Sequence, residues 1–197
     1  MQIEKLVVGS YAENCYIVYD ENSPDRDAFI IDPGFDGRRI NEKINTLGVK
    51  IHYILLTHGH FDHIGAVEEV RLHTGAPVWV HPGDIELIGG AFQHDAELSD
   101  GKEFTVGSMK IRTLYTPGHT QGGCCFYLKD QNTLFSGDTL FYTSVGRTDL
   151  GGGNHRQLIQ SIQNQLMVLP DQTEVYPGHS VKTVIGHERA HNMFLQG

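Results

Sequence analysis

The sequence predicts a layered α/β fold in which two β-sheets pack face to face and helices cover their outer sides. The main observation is the order of the segments, which runs sheet, helices, sheet, helices along the chain. The composition agrees, because 39% hydrophobic and 20% charged residues are ordinary values for a globular protein with a packed core. The length of 197 residues suits one core, so we predict a single domain over residues 1–197.

The first half of the chain opens with three short predicted strands. These are QIEKLVVG, AENCYIVYD and DAFIIDPG, which are apolar or β-branched and are followed by turn residues. A helix is predicted over Gly37–Leu47, where apolar residues recur at helical spacing, and Gly48 ends it. The buried strand Ile51–Leu56 then runs directly into the segment THGHFDH.

A further helix and strand follow, and a second sheet with its own helices comes after them. A helix over Gly65–Thr74 precedes the strand and turn PVWVHPGD. From Lys102 a second sheet is predicted in the segments EFTVG, MKIRTLYTPGH, GCCFYLKD and NTLFSGDTL. An amphipathic helix over Gln157–Leu169, a strand TEVYPGH and a short helix over Ile185–Leu195 complete the pattern. Strand ends in such a sandwich form one long edge, where metal or catalytic groups collect.

The charge balance makes nucleic acid an unexpected partner. The chain has 15 Lys and Arg against 24 Asp and Glu, a formal charge of −9, and no basic run that would neutralise a phosphate backbone. Bound divalent cations would offset part of this negative charge. The 12 histidines are a first indication that the chain binds them.

The cysteines and the N-terminal segment indicate the compartment. Cys15, Cys124 and Cys125 are odd in number and include an adjacent pair, which does not suit a disulfide framework. We interpret them as reduced, as is typical of a cytosol-like compartment. The segment MQIEKLVVGS lacks a charged leader with an apolar stretch, and no apolar run is long enough to span a bilayer. We therefore expect a cytoplasmic protein with no membrane partner.

The segment THGHFDH carries the strongest chemical signal. It places the imidazoles of His58, His60 and His63 and the carboxylate of Asp62 directly after a buried strand. An extended path puts His58 and His60 on one face, and a turn at Phe61 moves the other two to a neighbouring point. Three later segments, TPGH, SGD and YPGH, each end a strand in glycine and a metal-binding residue. Together these motifs predict a metal site, and their geometry suits two ions.

The motifs THGHFDH, TPGHT, SGDTL and YPGHS, in this order and spacing, resemble the metallo-β-lactamase superfamily over nearly the whole chain. The segments ENCYIV, IDPG, GRTDL and GHERAHNMF are similar to small bacterial glyoxalase II-like hydrolases, that is, hydroxyacylglutathione hydrolases. The resemblance implies a four-layer αβ/βα sandwich of the metallo-β-lactamase type. It also implies a metal-dependent thioesterase acting on a small-molecule thioester.

The resemblance further implies two sets of metal ligands joined by one bridging carboxylate. The first ion would be held by His58, His60 and His119, the second by Asp62, His63 and His179, with Asp138 bridging both. Nitrogen and oxygen donors without a thiolate suit zinc best, and they also accept iron or manganese. We therefore expect two divalent ions per chain, with zinc as the first choice.

This ligand set leads to a hydrolytic mechanism. Two divalent ions about 3.5–4 Å apart lower the pKa of a shared water from about 15.7 toward 7, which makes hydroxide available at neutral pH. We expect this hydroxide to attack an acyl carbonyl, as in 2-hydroxyacyl thioesters such as S-lactoylglutathione, with Asp62 as the catalytic residue that orients it. A thiolate leaves without a strong general acid, because the thiol pKa is about 8.5.

Four further residues are candidates for supporting the ligands or binding the substrate. Asp32 either accepts an imidazole proton or simply starts the Pro-Gly turn that follows it. Arg147 either pairs with Asp149 to shape the rim of the pocket or ties down its loop. Lys182 and Arg189 are cations near the C-terminal end of the sequence, where only 18 residues follow His179. Longer glyoxalase II enzymes add a glutathione-binding domain there, so we expect much of that recognition surface to be absent or replaced.

Other functions remain open from the sequence. A mononuclear iron persulfide dioxygenase uses a similar scaffold, with His58, His119 and Asp138 as its ligands. A lactone or phosphoester hydrolase and a noncatalytic metal-binding module are further alternatives. Penicillin-type β-lactamases of the superfamily usually have Cys where Asp138 stands, which disfavours that activity. The sequence is compatible with a monomer or a small homo-oligomer.

Overall fold

The computed structural model describes residues 1–196 and contains two six-stranded β-sheets. In the first sheet the strands lie side by side in the order of the chain. They are β1 (Gln2–Val8), β2 (Glu13–Tyr19), β3 (Asp27–Ile31), β4 (Lys50–Leu55), β5 (Val78–Val80) and β6 (Ala96–Glu97). Strand β2 is antiparallel to both β1 and β3, and strands β3 to β6 are parallel to one another.

The second sheet is built from the other half of the chain. Its strands begin with β7 (Glu103–Val106), β8 (Met109–Tyr115), β9 (Cys124–Leu128) and β10 (Thr133–Gly137). A separate hairpin of β11 (Leu140–Phe141) and β12 (Ser144–Val145) follows, and then β13 (Glu174–Pro177) and β14 (Thr183–Val184) complete the sheet. The spatial order is β14-β13-β10-β9-β8-β7, and β10 pairs with β13 in parallel.

Six helices connect the strands in the described residues. They are α1 (Gly37–Leu47), α2 (Phe61–Ile64), α3 (Val67–Thr74), α4 (Ile85–Ile88), α5 (His155–Ser161) and α6 (Ile185–His191). Short turns of 3₁₀-helix occur at Pro82–Asp84, Lys129–Gln131 and Met193–Leu195. None of the helices in residues 1–196 combines the length and the apolar character needed to cross a membrane.

Three hydrophobic layers hold the two sheets and their helices together. Strand β2 shows how the sequence creates them, because alternate side chains of a strand point to opposite faces. Ile17 packs toward α1 and α3, whereas Val18 packs between the two sheets against residues such as Phe126. On the far side of the second sheet, Leu158 and the residues around it cover strands β9 and β10. This confirms the predicted sandwich, with the helices in its two outer layers.

The predicted elements agree with the structure in type, although the ends of the helices differ. The structure also has short elements that the sequence did not predict, namely α2, α4, β6, β12 and β14. The predicted helix Gln157–Leu169 starts earlier, at His155, because the Asn154 side chain caps it by accepting from the amide of Gln157 at 3.0 Å. Its second half, Ile162–Leu166, is a π-helical turn. The predicted helix Ile185–Leu195 is divided at Asn192, whose extended backbone separates α6 from the last 3₁₀ turn.

The cysteines behave as the sequence indicates. Cys15, Cys124 and Cys125 are free and buried. Burial raises the pKa of each thiol above its usual value, so the thiols are protonated and act as apolar packing groups.

Candidate metal centre

The candidate site lies where five strands end on one edge of the molecule. Asp32 follows β3, His58 follows β4, His119 follows β8, Asp138 follows β10 and His179 follows β13. Strands β3 and β4 are parallel, and β8, β10 and β13 share one direction in the second sheet. The carboxyl ends of such strands meet at one edge, so the topology gathers residues that are far apart in the sequence.

The segment after β4 changes direction at Phe61. Its backbone is extended at His60, with φ −66° and ψ 146°, and helix α2 begins at the next residue. The extended part leaves the rings of His58 and His60 side by side, with centroids 4.8 Å apart. The helical turn carries Asp62 and His63 to a second point, as the sequence analysis expected.

Three histidines form the first group of potential ligands. The ligand atoms of His58, His60 and His119 lie within 4.8 Å of one another. His60 Nδ1 is 2.9 Å from His119 Nε2. His58 Nε2 is buried and has no hydrogen-bond partner among residues 1–196. Ring nitrogens so close together, one of them without a partner, form an arrangement that a cation would stabilise.

A second group lies beside the first, and Asp138 faces both. The second group contains Asp62, His63 and His179, whose ligand atoms also lie within 4.8 Å of one another. Asp138 Oδ2 is 3.6 Å from Nε2 of His119 in the first group and 3.6 Å from Nε2 of His179 in the second. Its Oδ1 lies 3.4 Å from His63 Nε2. The structure thus brings the seven residues named by the sequence analysis to one place.

Hydrogen bonds from the far side of the rings orient the histidines. Nδ1 of His119 lies 2.7 Å from the carbonyl oxygen of Arg147, and Nδ1 of His179 lies 3.2 Å from that of Tyr11. A carbonyl oxygen only accepts, so Nδ1 donates in both pairs. Because Nδ1 donates, Nε2 is the ring nitrogen that faces the other ligands and would bind a metal.

The ionisation of the site suits a cation. Burial and the neighbouring imidazoles lower the pKa of His58 well below its usual value, so this ring is neutral. Burial opposes ionisation of Asp138, but His63, His119 and His179 outweigh it and lower the pKa of Asp138 to about 2. Asp138 is therefore a carboxylate at neutral pH, in the form that binds two cations.

The donor set fits divalent transition-metal ions. Its seven members offer imidazole nitrogens and carboxylate oxygens, with no thiolate among them. These donors suit zinc and are also used for iron and manganese. The unpartnered Nε2 of His58 is an independent sign of fit, because buried polar atoms in folded proteins are normally satisfied.

Asp32 links the end of β3 to the ligand segment. Its Oδ2 accepts from His63 Nδ1 at 2.9 Å and from the Thr57 hydroxyl at 2.5 Å, and its Oδ1 accepts from the Thr57 amide at 2.7 Å. The backbone of Asp32 is left-handed, with φ +49°, at the start of the Pro-Gly turn. The structure therefore gives this residue both of the roles that the sequence left open.

Asp84 is a supporting residue that the sequence analysis missed. Its buried carboxylate accepts from the Gly59 amide at 2.9 Å, the Thr120 hydroxyl at 2.8 Å and the Gly122 amide at 2.6 Å. It thereby joins the segment that carries His58 and His60 to the loop just after His119. The only signal in the sequence is an aspartate in the turn HPGD, which indicates a turn and not this role.

The start of β2 supports His179 and was also missed. Asn14 Nδ2 donates to the carbonyls of Pro177 at 3.0 Å and Ser180 at 3.1 Å, on both sides of His179. The neighbouring Glu13 is fully buried, with one carboxyl oxygen 3.8 Å from His63 Nδ1. Burial raises the pKa of Glu13 well above its usual value, although the neighbouring His63 opposes this shift. The segment ENCYIV marks these residues only through its resemblance to other proteins.

A cleft of about 740 Å³ opens above the two ligand groups. We call it the metal cleft, and its apolar wall consists of Tyr11, Phe61, Leu87, Phe141, Val145 and Leu150. Arg147 also lines it, but its Nε and Nη2 donate to Asp149 at 2.7 and 2.8 Å. The pair lies at the rim, which is one of the positions expected from the sequence.

The other two candidate cations lie elsewhere. Lys182 Nζ donates to Glu174 Oε1 at 2.7 Å. Arg189 pairs with Asp171, and its Nη2 donates to two backbone carbonyls near the end of the preceding helix, at 2.8 and 2.9 Å. Neither side chain lines the metal cleft. The expectation that they contact substrate is corrected here, because their partners are structural groups.

The fold and the seven-residue site together define a metallo-hydrolase of the two-sheet sandwich type. Residues 8–179 match the family model described as the metallo-β-lactamase superfamily. The chain therefore belongs to the metallo-β-lactamase superfamily, whose fold binds divalent metals.

Two curated relatives match nearly the full length of the chain. The probable metallo-hydrolase YqgX of Bacillus subtilis (strain 168) is 38% identical over 213 residues, covering 100% of this chain and 99% of that protein. The hydroxyacylglutathione hydrolase GloC of Haemophilus influenzae is 32% identical over 211 residues, covering 99% of this chain and 98% of that protein.

Solved structures show the same fold at similar identities. The B3 metallo-β-lactamase BLEG-1 superposes with a TM-score of 0.91 and 37% identity, covering 100% of both chains. A di-iron-bound form of TTHA1623 gives a TM-score of 0.87 at 33% identity, covering 98% of this chain and 100% of that one. ETHE1 from Myxococcus xanthus gives a TM-score of 0.86 at 32% identity, covering 98% of this chain and 84% of that one.

Proposed function

We propose that this chain is a dinuclear metal-dependent hydrolase of 2-hydroxyacyl thioesters such as S-lactoylglutathione. The observation that carries the dinuclear part is the position of Asp138, whose Oδ2 is equally distant from a ligand of each group. The relative GloC, named a hydroxyacylglutathione hydrolase, supports the substrate class, because it matches this chain over almost the full length of both proteins.

The two ligand groups and Asp62 would have different roles in the reaction. The first group would hold one ion and the second group the other, with Asp138 as a shared ligand. When bound, two divalent ions supply Lewis acidity and lower the pKa of water. Asp62 lines the metal cleft, and its Oδ2 lies 3.3 Å from His179 Nε2 in the second group, so its carboxylate would accept a hydrogen bond from the attacking water and orient it.

The leaving group determines which esters suit this site. The described residues that line the metal cleft include no lysine, their one arginine is paired with Asp149, and their three histidines belong to the two ligand groups, so the cleft offers no lysine or ligand-free histidine to protonate a leaving group. A thiolate needs little protonation, since the thiol pKa is about 8.5. The cleft therefore favours thioesters over esters of ordinary alcohols.

Two other activities have a specific observation in their favour. The 37% identity to BLEG-1, described as a B3 metallo-β-lactamase, supports β-lactam hydrolysis as a second candidate. The 32% identity to ETHE1 supports the persulfide dioxygenase alternative. The completeness of the second ligand group favours hydrolysis with two ions over an enzyme with one.

The test is steady-state kinetics on zinc-loaded and iron-loaded protein with S-lactoylglutathione, a lactone, a β-lactam and glutathione persulfide. We expect the thioester to be hydrolysed, with a high KM, because the described lining of the cleft has no lysine or unpaired arginine for the carboxylates of glutathione. A chelator should abolish the rate. Oxygen consumption with the persulfide, or β-lactam turnover, in protein that leaves every thioester intact would overturn the proposal.

A further inference from the structure

A second cavity adjoins the metal cleft. It measures about 370 Å³ and shares His60, Phe61 and Leu87 with the cleft, so the two spaces are neighbours across these side chains. We call it the side cavity, and its remaining side-chain walls are Ile64, Glu68, Ile88 and Ala91. It is built by two short helices, α2 and α4, which pack beside the ligand segment.

The walls of the side cavity are apolar and partly uncovered. Phe61 and Leu87, at the boundary with the cleft, are 56% and 43% exposed. Large apolar side chains that border a catalytic cleft gain free energy when a ligand covers them. Phe61 and Ile64 are three residues apart on α2, so both side chains reach the same side of the helix. The cavity therefore suits an apolar group that enters past His60.

The walls of the side cavity do not suit the thiol part of a thioester, which carries the polar groups. Glu68 is its one charged wall residue, and its carboxylate accepts from Arg71 Nε at 3.1 Å. The described lining of the cavity has no lysine or arginine to pair with a carboxylate, and burying an amide without a hydrogen-bond partner is costly. Biological thiols such as glutathione carry amides and carboxylates, whereas acyl groups are often plain hydrocarbon. The acyl side is thus the part of the substrate that fits.

We propose that the side cavity is the acyl subsite of this enzyme and takes an uncharged aliphatic acyl chain longer than lactoyl. The inference rests on the proposed thioester hydrolysis and specifies its substrate: an aliphatic or 2-hydroxy-aliphatic acyl thioester. The thiol carrier then stays in the metal cleft and at its rim.

The first test is a chain-length series. Thioesters of one thiol, N-acetylcysteamine, with acetyl, butyryl, hexanoyl and octanoyl groups are assayed with the zinc-loaded full chain. Each methylene buried contributes about 0.8 kcal/mol, so kcat/KM should rise about fourfold per methylene until the cavity is full. The rise in kcat/KM should come mainly from a lower KM.

Two variants and a matched control connect the series to the cavity. Ala91→Phe places a ring at an exposed wall position and should remove most of the gain in kcat/KM from acetyl to octanoyl. Leu87→Ala removes apolar surface between the side cavity and the metal cleft, and it should also reduce the dependence of kcat/KM on chain length. Leu72→Ala is the same substitution at a 74% exposed leucine outside both cavities, and it should keep the wild-type series.

A binding measurement separates this inference from the proposed function. The non-hydrolysable thioether S-octyl-N-acetylcysteamine should shift the methyl NMR signals of Ile64 and Ile88, while those of Ile111, in the core between the sheets, stay unchanged. Hydrolysis of acetyl and lactoyl thioesters without a chain-length effect, or without these shifts, would overturn the acyl subsite and leave the proposed function standing. Shifts without hydrolysis of any thioester would overturn the proposed function, and the acyl assignment with it.

Discussion

The variant Asp84→Asn tests whether a buried carboxylate holds the two ligand segments together. The amide keeps the shape of the side chain, but only its oxygen accepts hydrogen bonds. If that oxygen takes the place of Oδ2, it keeps the bonds from Gly59 and Thr120, and the amide nitrogen then faces the N–H of Gly122, now 2.6 Å from Oδ1. Two donors then oppose each other in a buried place.

The cost can be worked from these contacts. A hydrogen bond to a charged group contributes about 1.5–3 kcal/mol, and leaving a buried donor unsatisfied costs a similar amount. We therefore expect Asp84→Asn to lower the free energy of unfolding by about 2–3 kcal/mol, which corresponds to a fall of roughly 5–10 °C in Tm at this size. Loosening of the ligand segments should also weaken metal binding by about 10- to 100-fold, as for other residues that orient ligands.

Tm is measured by circular dichroism with and without zinc, and zinc affinity by competition with a chromophoric chelator. Asp130→Asn is the matched control, because Asp130 is exposed in the turn Lys129–Gln131. It should change neither quantity. If Asp84→Asn had the Tm and zinc affinity of this control, the role given to Asp84 would be wrong.

Two further predictions concern charged groups outside the site. Hydrogen bonds from Ser108 and Asn22 lower the pKa of Asp20 below its unfolded value, so its contribution to stability is complete above about pH 4. That contribution is lost as the pH falls toward the folded pKa. Asp20→Asn should therefore make urea-unfolding free energies fall less steeply between pH 5 and pH 2, and an unchanged slope would contradict this. Lys182→Ala should leave the KM for S-lactoylglutathione within about twofold, because Lys182 pairs with Glu174 outside the cleft. A large rise in KM with kcat unchanged would show that Lys182 binds substrate.

The sequence predicts the ligands well for a physical reason. The ligands follow buried strands, and the period and end of a buried strand are visible in the sequence. The parallel pair β3 and β4 brings Asp32 beside THGHFDH, and the parallel pair β10 and β13 brings Asp138 beside His179. The glycine that precedes several ligands marks where the chain must turn.

The supporting residues are not predictable in the same way. Asp84 reaches Gly59 across 25 positions and Gly122 across 38 positions of the sequence, so its role exists only in the folded chain. Asn14 likewise bonds the carbonyl of Pro177 across 163 positions. The same limit applies to Lys182 and Arg189, since proximity to His179 in the sequence does not say which way a long side chain turns.

The most direct test of the account is the metal content of Asp138→Ala beside that of the wild type. Elemental analysis of the protein, loaded with zinc or iron and freed of excess metal, should give close to two ions per chain. Asp138→Ala should lose metal from both positions, whereas Asp62→Ala should keep close to one ion, in the first group. A wild-type protein that never exceeds one ion, or an Asp138→Ala variant that keeps two, would contradict the bridged dinuclear site.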